Sequence, residues 1–269
     1  MKNSAKVQSN GQYSLAKIIG IWALAAVPMG ILGWVVAPAL SPDINKDPIG
    51  AAVTRIGVLT IGLVWQFVLS MIIVKREEGD LRWSTIKQRL WLNKPRDPRT
   101  GQPRGVLWLW AFPFLVLIAL MEMFLGPFLD KIWVSIFPFL AEPAGFGLGS
   151  VLESPQIQAQ LVGAWGVLGM FFINAVFNTI LGEEFLFRGV LLPKMEGVFG
   201  KWDWVANGAL FGLYHLHQPW GILASIISGI FLYSFPSKRF KSTWMGIIVH
   251  SGQSVFFLFL MLGLVLGLA

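Results

Sequence analysis

Long apolar runs broken by short polar segments are the dominant pattern of the chain. A helix that crosses a bilayer needs about 20 mostly apolar residues, and residues 14–40, 51–74, 106–126, 161–191 and 243–269 each supply such a run. Two shorter stretches, 204–218 and 220–235, flank Pro219 and read as a helical hairpin. Together they predict an all-α membrane protein, a polytopic bundle of seven spans. Residues 128–140 form a short run with Pro138 inside it. That run reads as a re-entrant or interfacial segment at the outer face; were it to cross, the count would be eight. The first run far exceeds the roughly 7–15 residues of a signal-peptide core, so it is read as a retained first helix.

Charge gives the bundle two sides. Residues 75–104 hold nine cations (Lys75, Arg76, Arg82, Lys87, Arg89, Lys94, Arg96, Arg99 and Arg104), and residues 236–242 hold Lys238, Arg239 and Lys241. Lys2 and Lys6 precede the first run, and Lys194 and Lys201 follow the fourth. Seven alternating spans put all four segments on one side, which the positive-inside rule makes cytoplasmic. The opposite segments, 41–50 and 127–160, carry only Lys46 and Lys131 against Asp43, Asp47, Asp130, Glu142 and Glu153. Within the basic loop, residues 81–93 set Leu81, Ile86 and Leu90 near helical spacing beside Trp83 and Trp91. Arg82, Lys87 and Arg89 lie among them. This predicts one amphipathic interfacial helix with its cations at the headgroups.

Composition agrees with a lipid partner. The chain is 55% apolar and 13% charged, with a mean hydropathy of +0.65, against about 25% charged residues in a soluble domain. The net charge of +7 is accounted for by cytoplasmic loops, so no nucleic-acid partner is expected. With no cysteine in the chain, disulfides and thiol catalysis are excluded.

Ionisable groups inside a bilayer cost about 2.5–3.5 kcal/mol each on insertion scales, so each one needs a reason. Glu183, Glu184 and Arg188 continue the fourth apolar run. Glu184 and Arg188, four apart, share a helix face and can pair; Glu183 is turned about 100° away and lacks that partner. All three histidines fall in or beside the last three runs. Asn207, Phe211 and His215 recur at i, i+4, i+8, and His250 and Ser254 at i, i+4. A carboxylate and an imidazole sharing a buried water can divide base and stabilising roles in peptide hydrolysis. A metal centre of Glu183, His215 and His250, with zinc as the fitting ion, is the other reading that spacing leaves open. Counting 1.5 Å per residue from the basic ends puts His215 about 18 Å and His250 about 10 Å deep, which predicts a pocket opening toward the cytoplasm.

At these residues the sequence resembles the CAAX protease and bacteriocin-processing (CPBP, or Abi) family of intramembrane proteases, which includes the eukaryotic prenyl-protein CAAX endopeptidase. The resemblance spans roughly residues 161–255. Its three motifs stand in order as E-E-x-x-x-R at Glu183, Glu184 and Arg188, F-x-x-x-H at Phe211 and His215, and H-x-x-x-N at His250, where Ser254 replaces the Asn. The resemblance implies an endopeptidase acting on a membrane-associated protein or peptide. Glu183 would be the base, His215 its partner on the water and His250 an oxyanion donor, with Glu184 and Arg188 shaping the site. A hydroxyl at position 254 reaches less far than an amide, which favours the alternative of a non-proteolytic binding or assembly protein on the same fold. His217 matches no motif. One domain is expected, with residues 1–105 as a helix pair plus basic cytoplasmic segment and 161–255 as the catalytic-type core. The chain has no ER-retrieval signal and no transit-type N-terminus, so a prokaryotic plasma membrane with a cytoplasmic N-terminus is expected.

Overall fold

Apolar periodicity, caps and proline together set the helices of the computed structural model, which describes residues 11–143, 146 and 154–268. Six described helices are long and apolar enough to cross a membrane: α1 (Leu15–Leu40), α2 (Pro48–Glu78), α4 (Gly105–Ile136), α6 (Trp165–Lys194), α8 (Pro219–Phe240) and α9 (Thr243–Val265). Between them lie the short helices α3 (Trp83–Arg89), α5 (Pro155–Leu161) and α7 (Asp203–Tyr214). The starts have chemical causes. Ser14 accepts the Lys17 backbone N–H at 3.2 Å, and Asp47 accepts that of Gly50 at 2.8 Å, directly before Pro48. These side chains satisfy donors that a helix start leaves unpaired. Gly79 ends α2 with φ +83°, the left-handed turn that glycine adopts without a Cβ penalty.

The expected span at 204–218 takes a different form. It is the 12-residue α7, about 18 Å long at 1.5 Å per residue, and residues 215–218 carry the chain on to Pro219 at the end away from the basic loops. Residues 128–136 are not a separate re-entrant piece; they continue α4 through a π-helical turn at Met121–Leu125. Similar π-helical turns occur in α1, twice in α6 and once in α8. Such turns widen the helix by one residue and re-aim side chains, and they recur at functional sites.

Side chains such as Phe112, Leu109 and Phe259 are 69–71% exposed on the outer faces of their helices. In water they would be a liability; in a bilayer they meet lipid. The half-length α7 is held against α8 by glycine. A Cβ on Gly208 would strike the backbone of Gly229 and Ile230, and one on Gly212 the backbone of Ile226. Small residues four apart let two membrane helices approach backbone to backbone.

All described basic segments gather at one end of the bundle. Tyr13 N–H donates to Lys194 O at 2.9 Å, Arg96 N–H to Phe240 O at 2.8 Å and Thr243 N–H to Trp91 O at 2.9 Å. Lys2, Lys6 and Glu153 lie outside the described residues. At the other end, Trp34 Nε1–H donates to Leu216 O at 2.7 Å and Trp133 Nε1–H to Pro219 O at 2.9 Å.

The interfacial helix also differs from expectation. It is seven residues long, and although Arg82 and Lys87 are exposed, Arg89 is buried. Arg89 turns inward to Glu77 at 2.9 Å, the Tyr13 hydroxyl at 2.7 Å, and the carbonyls of Gly189 and Val190 at 3.1 and 3.2 Å. Four acceptors inside the protein hold the guanidinium better than a headgroup layer, because each would otherwise be a buried, unpaired polar atom.

Candidate active site

The three motif segments meet where α6, α8 and α9 surround the end of α7. A cavity of about 810 Å³ opens there, and Glu183, His215 and His250 all line it. That volume lies within the range of small-molecule and peptide sites.

Glu183 and Glu184 are neighbours in sequence with different surroundings. Both are buried, at 2% and 0% exposure. Glu184 faces Arg188, Nη1 at 3.1 Å from its Oε1, and the same oxygen lies 3.0 Å from His250 Nδ1. The Arg188 guanidinium lies 4.1 Å from the Phe211 ring centroid and 5.2 Å from that of Tyr233, so aromatic faces supply what water would have given the charge. Glu183 turns into the cavity. With its amide oriented to donate, Asn178 lies 3.0 and 3.3 Å from the two Glu183 oxygens. The Tyr214 hydroxyl accepts from Gln66 Nε2 at 2.7 Å and lies beside Glu183. His250 Nε2 is 3.9 Å from Glu183 Oε2.

His215 and His250 each have one ring nitrogen spoken for. His215 Nδ1 lies 2.9 Å from Phe211 O. A carbonyl only accepts, so that nitrogen carries the proton and Nε2 presents a lone pair. His250 Nδ1 donates to Glu184, and its ring stacks on Tyr233 at 4.4 Å and 22°. The backbone sets these positions: His215 is the residue after α7, and two turns before it Asn207 donates to Phe187 O at 2.8 Å and accepts from Ser234 at 2.8 Å. Asn207 therefore ties α7 to α6 and α8 at once.

Ser254 is half-buried one turn beyond His250, and at that level the cavity wall is made by Gln253 and Phe257. His217, outside every motif, does line the cavity and stacks on His215 at 5.5 Å and 30°. Gln66, Asn178 and Tyr214 were not singled out by the sequence; the signal available was an amide or hydroxyl inside an apolar run. Among the described residues, no three His, Asp or Glu side chains are grouped closely enough to hold a metal ion, so no step is routed through one.

The cavity does not open toward the basic loops as the sequence predicted. Its described lining on α2 and α4 comes from the halves that lie away from those loops, and on α6, α8 and α9 from the middle of the helix outward, with Arg55 and Asp130 toward the far end. Depth counting carries no information on which end the surrounding helices leave open.

Neither a curated protein nor a solved structure matches this chain. Residues 163–256, which hold all three motifs, match the family model described as Rce1-like, type II CAAX prenyl endopeptidase. Over that segment the chain is similar to a family of membrane-embedded proteases, as its motifs implied.

Proposed function

We propose that this integral membrane protein is an intramembrane endopeptidase in which Glu183 activates water. The observation that carries the proposal is the convergence of Glu183, His215 and His250 on one cavity, with His215 Nε2 left free by the Nδ1 bond to Phe211 O. A water between Glu183 and His215 gives its proton to Glu183 and its oxygen to the scissile carbonyl carbon. Charge then develops on the carbonyl oxygen. His250, oriented by Glu184 at Nδ1 as a carboxylate orients the histidine of a catalytic triad, faces that oxygen from the cavity wall. Collapse of the intermediate breaks the C–N bond, and protonated Glu183 returns its proton to the leaving amine. Arg188 pairs with Glu184 and holds it in place.

The test is a comparison of peptide termini in cells expressing the wild type or Glu183→Gln. The amide keeps the shape and loses the base, so cleavage should fall by at least about 10²-fold while the protein stays folded. Ser254→Ala should be milder, since the cavity wall at that level is made by Gln253 and Phe257 and Ser254 is not part of it. Full function with Glu183→Gln, and no terminus that depends on Glu183, would favour the binding or assembly reading instead.

A further inference from the structure

Two independent asymmetries run along the same axis of this bundle. The first is charge: the nine cations of residues 75–104 and the three of residues 236–242 stand at one end, while segments 41–50 and 127–160 hold two cations against five acids. The second is shape. Glu183 and His250 sit at the cavity floor, and from there the walls run only toward the end without the basic loops. On α2 the lining residues belong to the N-terminal half, which begins at Pro48; on α4 they belong to the C-terminal half, which ends at Ile136. On α8 they start at Trp220 and stop at Tyr233, before the basic turn. Between the cavity and the basic end lie Phe187, Leu191, Leu192 and Leu90, all fully buried and none of them lining the cavity. Over these, residues 89–96 are hydrogen-bonded to Gly189, Val190, Phe240 and Thr243.

Positive charge marks the cytoplasmic side of a membrane protein because cationic loops resist translocation. A cavity whose floor is nearest the cationic end therefore receives water, and any polypeptide, from the other side. We infer that the site opens to the extracytoplasmic face and takes its substrate there, a membrane-anchored polypeptide whose scissile segment lies outside the cytoplasm. The mouth suits an aqueous entry, since Arg55, Asp130, Gln218 and Ser225 line it, and polar side chains within the membrane lie against protein or water-filled space. The orientation stands on charge and shape alone; the substrate class rests on the protease reading above.

The chain has no cysteine, so one introduced thiol is the only reactive one. Ser225→Cys and Ala52→Cys place a thiol on two separate walls of the cavity, and Thr100→Cys places one in the basic loop. Each variant is expressed in bacterial cells and exposed to a membrane-impermeant maleimide in intact spheroplasts and in inverted vesicles. Both cavity thiols should react at least tenfold faster in spheroplasts, and the Thr100→Cys thiol at least tenfold faster in inverted vesicles. The opposite pattern, or cavity thiols inert in both preparations, overturns the orientation whether or not the protein is an enzyme. In the comparison of wild type with Glu183→Gln, the Glu183-dependent cleavage sites should lie on the extracytoplasmic side of their membrane anchors. Sites on the cytoplasmic side would overturn the substrate class, whereas loss of the protease reading itself would appear as no Glu183-dependent site at all.

Discussion

The two ends of the bundle are built on opposite principles. At the basic end, polar backbone is sealed: the carbonyls of Gly189 and Val190 take Arg89, those of Leu90 and Asn93 take Thr243 and Ser242 at 2.6 Å each, and Leu90 and Leu92 are buried beneath. At the other end the same helices splay around a cavity with Arg55, Glu122, Asp130 and Asn178 in its wall. A hydrolase inside a membrane must bring water to one place and keep it from leaking further. On the protease reading proposed above, the sealed end supplies the barrier and the open end the path. Five π-helical turns lie in the helices around the cavity, whereas α2 runs as unbroken α-helix from the open end to the sealed one.

The largest test of this contrast is Arg89→Ala. It strips the sealed end of a cation whose acceptors are Glu77, the Tyr13 hydroxyl and two carbonyls. Breaking a buried pair by removing one partner costs about 3–5 kcal/mol. Thermal unfolding in detergent should show a large loss of stability, while the specific activity of the folded fraction is unchanged. A drop in specific activity at unchanged stability would show that the sealed end takes part in the reaction.

Gly212→Leu strikes the open end through the helix that stops halfway. A side chain there meets the Ile226 backbone and must part α7 from α8, at a cost of about 1–3 kcal/mol for overpacking. His215 lies three residues on, so cleavage should fall with stability. Unchanged activity at lowered stability would mean that His215 keeps its position without the close helix contact.

Tyr214→Phe is gentler. It removes the hydroxyl between Gln66 and Glu183, a bond worth about 0.5–1.5 kcal/mol. Turnover should fall by about tenfold, the equivalent of some 1.4 kcal/mol, with little change in melting temperature. Equal turnover would place the orientation of Glu183 with Asn178 alone. The smallest effect belongs to Lys87→Ala on the exposed face of α3, which should change stability by less than about 0.5 kcal/mol in detergent. A larger loss would mean that the outer face of α3 also belongs to the seal.

Local rules reached a definite depth into this molecule. Apolar length located six of the spans, and helical spacing paired Glu184 with Arg188, which lie 3.1 Å apart. Both follow from the sequence because a helix face is settled by residues three or four apart. Arg89 was read as a headgroup-facing cation, since nothing nearby in sequence tells of Gly189 and Val190, about a hundred positions away. The half-length of α7 was hidden for a related reason: 204–218 is apolar enough to look like a span, and its end at Tyr214 is followed by a tight turn bonded from Leu216 N–H to Tyr214 O.

The sequence by itself determined that the chain lies in a membrane, that its cations gather at one side, and which ionisable residues stand in apolar helices. These are properties of short stretches, where hydropathy and charge act residue by residue. Only the tertiary structure decided what surrounds Glu183 and where the cavity leads. Asn178 comes from its own helix, Tyr214 from α7 and Gln66 from α2, and the opening is the gap that helices distant in sequence fail to fill. A cavity is a property of packing between elements, so its direction appears only once the helices are assembled.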